Sequence, residues 1–537
     1  VMRHVSFPPT HKLALLHSKQ LSAYCPTLTD PASFGLNRWR RNYGAVPAGT
    51  CLRDLSEPEH HLAEPLSFAL GGEAGLQNLC NVMGRGCSDA KELAAAVMRN
   101  LLAGPVPPER PEGYELFLET LASLISGAAT ATCCQLAAQC VCLMVERRPE
   151  AAEDVSGGGV MEAVVMAIMS EDTPLPSRAA AAKALCAMLT DANVCARIVE
   201  CDGQVMLLEV AAEDCPAPVA QSILEGLLLL TRQPGLLEEH QVLVDASSLQ
   251  KLVALLAPES EGGRAGSNAA APAARLLVEL LALPEVRAAW PKLGGTPAAA
   301  GLLAGGAASE EERHAAVALL HAVAGGKVAG EHLAVEEWVD SGAIKALTAA
   351  ISREQQERCN SAGNAAALLL HLFDSSDAIK THLVESSDSV QELLLALSRV
   401  AEGKASSTAT PVLSILAAAV ERDADMACTL LEKGVDSVLG SLLCQHDNAP
   451  PHAGPLLRLV KELAKHHRAA PQLRSGACYE ALHAMARDTS SPHAADVKAA
   501  LSLIVRHLLL PGLSITAHSL YPLCRHSLLR CLKPLAL

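Results

Sequence analysis

Apolar residues recur along most of this chain at the spacing of one helix face, in short runs broken by Gly, Pro and polar residues. The stretch from Glu336 to His371, EEWVDSGAIKALTAAISREQQERCNSAGNAAALLLH, holds one whole period. A short amphipathic run closes on Trp338-Val339-Asp340, and Ser341-Gly342 interrupts it. A second run, Ala343 to Ile351, puts Ile344, Leu347 and Ile351 on one face. After a polar linker, Asn364 to Phe373 is apolar nearly all round, which predicts a helix buried on most sides. The pattern predicts three helices, with a Gly break between the first two.

The unit repeats. Taking Ile344 as the anchor of the middle helix, comparable starts occur at Leu76, Leu118, Val160, Val205, Leu249, Ala298, Val390, Val435 and Tyr479. Successive spacings along the series run 42, 42, 45, 44, 49, 46, 46, 45 and 44 residues. That period predicts an all-α, right-handed armadillo/HEAT-like α-solenoid of about ten three-helix repeats. Before several anchors, ARIVECDG (196–203), EEWVDSGA (336–343), THLVESSD (381–388) and CTLLEKGV (428–435) share an apolar pair, a polar residue and often Gly. Gly suits a sharp interhelical turn because it adopts positive φ freely. The third helices also align, as in ELAAAVMRNLLAG (92–104), RAAAAKALCAMLT (178–190), RHAAVALLHAVAG (313–325) and GNAAALLLHLF (363–373). They are expected to form a buried spine, with the first helices shielding the convex side. Pro- and Gly-rich linkers are expected at 103–113, 257–268 and 446–454. Residues 1–70 read as an irregular basic extension, 71–510 as the superhelix, and 511–537 as a basic Leu-rich tail, either a cap on the last repeat or disordered.

Composition supports helices and removes several functions. Half of the 537 residues are hydrophobic but only 2% are aromatic, so the core is built from Ala and Leu rather than β-formers. So few aromatics also disfavour base-stacking platforms. Residues 51–496 hold 32 Lys or Arg against 57 Asp or Glu, whereas 1–50 and 497–537 are basic. An acidic body repels nucleic acid and anionic lipid, so neither partner is expected. The longest apolar candidate, Leu501 to Leu513, is broken by Arg506, His507 and Pro511, too short for a membrane span. The chain begins at Val1, as a fragment, a processed form or an imperfect gene model would, and its first 29 residues lack acids, which resembles a transit peptide, but they show no clear amphipathic Arg/Ser helix. The 18 cysteines include no CxxC pair, and Cys133, Cys134, Cys140 and Cys142 share one apolar helical run. They read as small buried hydrophobes rather than metal ligands or disulfides.

Catalytic patterns are missing. GGEAG (71–75) and GGG (157–159) lack dinucleotide spacing, HHLAE (60–64) lacks zincin order, and neither GxxxxGK[ST] nor GxSxG occurs. His466-His467 ends a Lys-rich helix, where cations are favourable. No enzyme activity, metal or cofactor is expected.

The third helices resemble those of armadillo proteins such as importin α and β-catenin, in which an Asn ladder grips an extended partner. That resemblance places Asn100, Ala187, Glu279, His321, His371, Ala418 and Glu462 on the ladder, and only Asn100 keeps the family residue. Where importins carry Trp one turn earlier, this chain has Ala96, Lys183, Arg275, Val317, Ala367, Ser414 and Arg458. Two readings follow. Either these polar residues merely solvate a groove, or Arg275, Glu279, Arg458 and Glu462, with Asn100, His321 and His371, contact a protein partner.

A narrower resemblance lies in CLRDLSEPEHHLAEPLSFALGGEAGLQNL (51–79), SREQQERCNSAGNAAALLLHL (352–372) and GGTPAAAGLLAGG (294–306). These are similar to the armadillo half of a tetratricopeptide-repeat family that takes part in pre-assembling axonemal dynein arms beside chaperones. It implies a cytoplasmic, non-catalytic scaffold over roughly residues 51–440, with dynein subunits and chaperones as partners. The alternative is an importin- or catenin-like receptor, or a cytoskeletal adaptor, for linear peptides.

Overall fold

The computed structural model describes residues 73–104, 114–127, 130–213, 215–236, 243–257, 269–305, 308–325, 335–353, 361–403, 406–444, 452–487 and 492–506. The extension over 1–70, the tail over 511–537 and all but the ends of the three linkers lie outside these residues.

Every described element is helical, and the fold is an all-α solenoid of repeats. Each of the ten anchors falls in its own second helix, from Glu73–Arg85 in repeat 1 through Ala343–Ser352 in repeat 7 to Ala477–Arg487 in repeat 10. Ten third helices follow them in register, from Ser88–Ala103 to Ala494–Arg506. A first segment is described for seven repeats. It is a nine-residue helix in repeats 4, 8 and 9, at Ala192–Glu200, Asp377–Glu385 and Ala424–Glu432, and shorter in the others. These three start where a side chain caps the backbone: Asp191, Ser376 and Asp423 each accept from an N–H of the first turn. The helix Glu310–Gly325 starts with a capping box, in which Ser309 N–H donates to Glu312 Oε2 and Glu312 N–H to Ser309 Oγ.

The repeat 7 unit has helices Val335–Asp340, Ala343–Ser352 and Ser361–Ser375. The last begins at Ser361, three residues before the apolar run from Asn364, with Ser361, Ala362 and Gly363 buried in its first turn. Between the first two, Gly342 adopts φ 71° with nothing near its Cβ position, so conformation alone selects glycine there. The ARIVECDG segment solves the same turn differently. Asp202, not Gly203, takes the left-handed conformation at φ 53°, while a Cβ on Gly203 would lie 3.1 Å from Ile198. In THLVESSD no left-handed residue is used; Ser386, at φ −84°, caps the next helix through its side chain.

The chain divides into two compact bodies, residues 1–331 with repeats 1–6 and residues 332–537 with repeats 7–10. Within each body, each third helix packs on the next, and most second helices do likewise. The third helices are therefore the spine that the sequence predicts. Ala181, Ala184, Leu224, Leu227, Ala273 and Leu277 are essentially inaccessible in the first body, as are Leu369, Leu372, Leu416 and Leu459 in the second. Small residues bring helices close: a Cβ on Gly226 would stand 3.0 Å from Leu189 and 3.6 Å from the Cys186 Cα. Polar bonds between successive repeats occupy helix-end carbonyls that would otherwise lack partners. Arg147 donates to Ala103 O at 2.6 Å, and Arg399 donates to Ser352 O. Asp436 accepts from Ala477 N–H at 2.8 Å and Cys478 N–H at 3.4 Å, so repeat 9 caps the second helix of repeat 10.

Cys80, Cys133, Cys134, Cys140, Cys195 and Cys478 are free and buried. Burial pushes the thiols of Cys80, Cys140 and Cys195 up to about 12. Among the described residues no group of three or more His, Cys, Asp or Glu is placed to hold a metal, and no helix is long and apolar enough to cross a membrane.

Candidate functional site

A spine helix packed on both sides by its neighbours has one stripe left for solvent. In repeat 2, helix Ala131–Arg147 leaves Thr132, Gln135, Gln139, Leu143 and Glu146 at least partly exposed, one or two per turn. In repeat 3 the stripe includes Lys183 and Ala187, in repeat 4 Gln221, Glu225 and Leu229, and in repeat 5 Arg275 and Glu279. Repeat 6 exposes Glu311, His314, Ala318 and His321. In the second body the stripes carry Asn364, Ala367 and His371, then Ser414, Ala418 and Glu421, then Arg458, Lys461 and Lys465. The period of the exposed positions is helical, so each body presents a ladder with one polar rung or more per repeat.

The residues that the ladder alignment singles out fall into three groups. Asn100 is 1% exposed, and its side-chain carbonyl accepts from Arg99 Nε at 3.1 Å, so the one residue kept from the family pattern lies beneath an arginine. Val317 and Ala96 are buried as well; Ala318 holds the exposed position in repeat 6, and Ala96 packs with Ala95 and Leu136 in the core. His321 and His371 are exposed on the stripe. Arg275, Glu279, Arg458 and Glu462 are all engaged within the chain. Arg275 pairs with Glu311 of the next spine helix, and Glu279 accepts from Arg232 Nε of the preceding repeat at 2.8 Å. Arg458 reaches back to Glu421 at 3.2 Å. Glu462 is 8% exposed and takes Lys465 Nζ at 2.6 Å and 2.8 Å.

Three of these rungs are ion pairs between successive spine helices, and Lys461 with Asp496 adds a fourth. Each is partly solvated, with at least one partner about half exposed, and contributes about 0–1 kcal/mol to stability, so exchanging an internal counter-ion for a partner's costs little. The counter-ions Arg232, Glu311, Glu421 and Asp496 are invisible to a ladder drawn from one helix at a time, since they sit 35 to 47 residues away. Their signal is a charge of opposite sign one repeat earlier or later, which fixes a partner only when the helix-to-helix register is known.

Electrostatics on the stripe differ by location. Burial, reinforced by the Glu146 hydrogen bond at 3.2 Å, pushes the Cys142 thiol up to about 12, and burial with Glu225 nearby pushes Cys186 up to about 11. The thiols on this face are therefore protonated at neutral pH and poor nucleophiles. The stripe offers hydrogen bonds, charges and small apolar contacts, an inventory suited to recognition.

No protein-family model matches the chain, and no curated protein matches it. Among solved structures it is similar to an engineered protein, a structural-genomics target, with a TM-score of 0.51 and 19% identity over 80% of this chain and 98% of that one. A structure concerned with a phosphorylation switch between cadherin and beta-catenin aligns with a TM-score of 0.38 and 13% identity, over 86% and 96% of the two chains. A second engineered protein aligns at 0.34 and 18%, over 51% and 98%. The last two likenesses are too distant to bear on function. The first, at its low identity, speaks to the fold alone, the all-α repeat fold that the chain's own helices display.

Proposed function

We propose that the chain is a non-catalytic protein-binding scaffold whose partners engage the exposed stripes of the third helices. One observation carries this reading. Each body offers a row of solvated, exchangeable polar rungs on top of a tightly packed spine. Rigid helices hold these side chains at fixed spacing, which favours recognition of an extended or folded protein surface. Asn100 and Glu462 support the stripe from beneath, whereas Arg275, Glu279, His321, His371 and Arg458 are the residues available for contact.

The similarity of 51–79, 294–306 and 352–372 to a dynein-arm assembly family makes axonemal dynein subunits and their chaperones the first partners to test, and a cytoplasmic location the first to check. Of these segments, 51–72, 306 and 354–360 lie outside the described residues. Affinity purification from ciliated cells is expected to recover dynein chains and chaperones. Recovery of importin β with basic-signal cargo would support the linear-peptide receptor in its place.

A further inference from the structure

Charge is segregated along the solenoid. Residues 114–213, spanning repeats 2 and 3 and the first two helices of repeat 4, hold 14 Asp or Glu and 5 Lys or Arg. Residues 452–506, spanning the later part of repeat 9 and repeat 10, hold 8 Lys or Arg, 5 His and 4 Asp or Glu. A locally basic end on an acidic chain is an electrostatic feature of its own.

The basic charge is ordered on the spine face. Arg458, Lys461 and Lys465 follow at i, i+3 and i+7 on helix Ala453–Lys465, a spacing that puts them on one side over about 10 Å. Their side chains are 55%, 26% and 52% exposed. His467 and Arg468 extend the series at the exposed end of the helix. The counter-ions are of two kinds. Glu462 lies under Lys465, one-tenth exposed, and anchors that ammonium from below. Glu421 and Asp496, which take Arg458 and Lys461, are themselves about half exposed. Those two pairs are the exchangeable kind, so incoming carboxylates can replace Glu421 and Asp496 without leaving a buried charge behind. Further along, Arg474, Lys498 and Arg506 are exposed and enter no ion pair among the described residues.

We propose that this face of repeats 9 and 10 docks an acidic linear segment of a partner protein, with carboxylates on Arg458 and Lys461 and flanking acids drawn by Lys465, Arg468 and Arg506. The assignment rests on the scaffold reading above and names the partner chemistry at one end of it. A peptide fits better than a nucleic acid. The basic strip is short, and a long polyanion running past it meets a chain with a net charge of −15.

The test is fluorescence anisotropy of labelled oligoglutamate on the full chain, with oligolysine and oligothymidylate as comparisons. Saturable binding of oligoglutamate is expected, weakening as salt approaches about 0.5 M. The double variant Arg458→Gln/Lys461→Gln is expected to raise Kd about tenfold or more while leaving the circular dichroism and melting curve unchanged, since the acids it strands are half exposed. Arg85→Gln, at the exposed end of helix Glu73–Arg85 in the other body, is expected to leave Kd unchanged. Absence of saturable oligoglutamate binding overturns the proposal, as does binding indifferent to the double variant. Equal binding of oligothymidylate with the same dependence on Arg458 and Lys461 overturns it in favour of nucleic acid. If oligoglutamate fails while partner capture from ciliated cells still depends on third-helix residues, the charge assignment falls and the scaffold reading stands.

Discussion

The hinges of repeats 6 and 7 look alike and are built on different constraints. Both bury a tryptophan from the first segment, Trp290 at 2% and Trp338 at 1% exposure, just before a left-handed glycine that opens the second helix. In repeat 6 the indole N–H of Trp290 donates to Thr296 Oγ1 at 3.0 Å, and the ring lies against Gly295, where a Cβ would come within 2.3 Å of it. Gly294 serves the backbone and Gly295 serves the space. In repeat 7 Gly342 serves the backbone alone and Ala343 follows it without conflict, itself fully buried. Asp202-Gly203 in repeat 4 sides with repeat 6, with aspartate tolerating the left-handed position and glycine giving the room. A glycine at a helix junction therefore carries two separable requirements, and each predicts its own mutational cost.

The largest effect is expected where the aromatic anchor is removed. Trp290→Ala should cost about 3–5 kcal/mol locally, from the lost burial, the cavity and the orphaned Thr296. Because adjoining repeats stabilise one another, hydrogen exchange across 284–304 is the sharper readout, with protection lost there before it is lost in repeats 2 and 3. Gly295→Ala should cost about 1–3 kcal/mol by driving the ring from its seat. Gly342→Ala should cost about 1–2 kcal/mol, entirely from the left-handed backbone, and should leave the Trp338 fluorescence environment unchanged. A Gly342→Ala cost matching that of Gly295→Ala with a displaced Trp338 would erase the distinction between the hinges.

Smaller effects concern capping carboxylates. Asp245→Ala removes the side chain that accepts from Ser248 N–H, at about 1 kcal/mol. Its carboxyl is partly desolvated, yet the hydrogen bonds of Ser248 and the local backbone hold it below the usual range. The stability that it adds is present above the unfolded value of about 3.9 and lost as pH falls through the lower folded one. Asp436 runs the other way. Burial raises its pKa against the two N–H donors from Ala477 and Cys478, so the folded state binds its proton more tightly. Its ionised form carries a cost that is relieved as pH falls through the raised value. Chemical denaturation of each aspartate beside its asparagine variant, followed downward from neutral pH, should show opposite slopes for the two sites.

Much of this architecture was legible from periodicity. All ten anchors sit in second helices, because a single apolar face repeated at about 45 residues has few other packings available. The hinge logic was legible only in part: ARIVECDG advertises Gly203 as the turn residue, yet Asp202 turns and Gly203 makes room, a fact set by where Ile198 lies. The candidate face was legible as a stripe and not as a network. Arg275 and Arg458 are exposed cations from the sequence, but Glu311 and Glu421 become their partners only through the register of stacked helices. Asn100, the residue that matched the family pattern, proves to be buried. Local pattern finds the helix face; the neighbour decides which residues on that face are reachable.

As proposed, partners engage the third-helix stripes and not the second-helix surface. Quantitative affinity capture from ciliated cells tests it most directly, with wild type beside two variants of equal size. One carries Arg275→Ser, His321→Ser and His371→Ser on the stripes, and the other Glu119→Gln, Glu162→Gln and Glu209→Gln on exposed or half-exposed second-helix positions. The stripe variant is expected to lose the specific partners several-fold while the second-helix variant keeps them. Retention by the stripe variant with loss by the second-helix variant would contradict it.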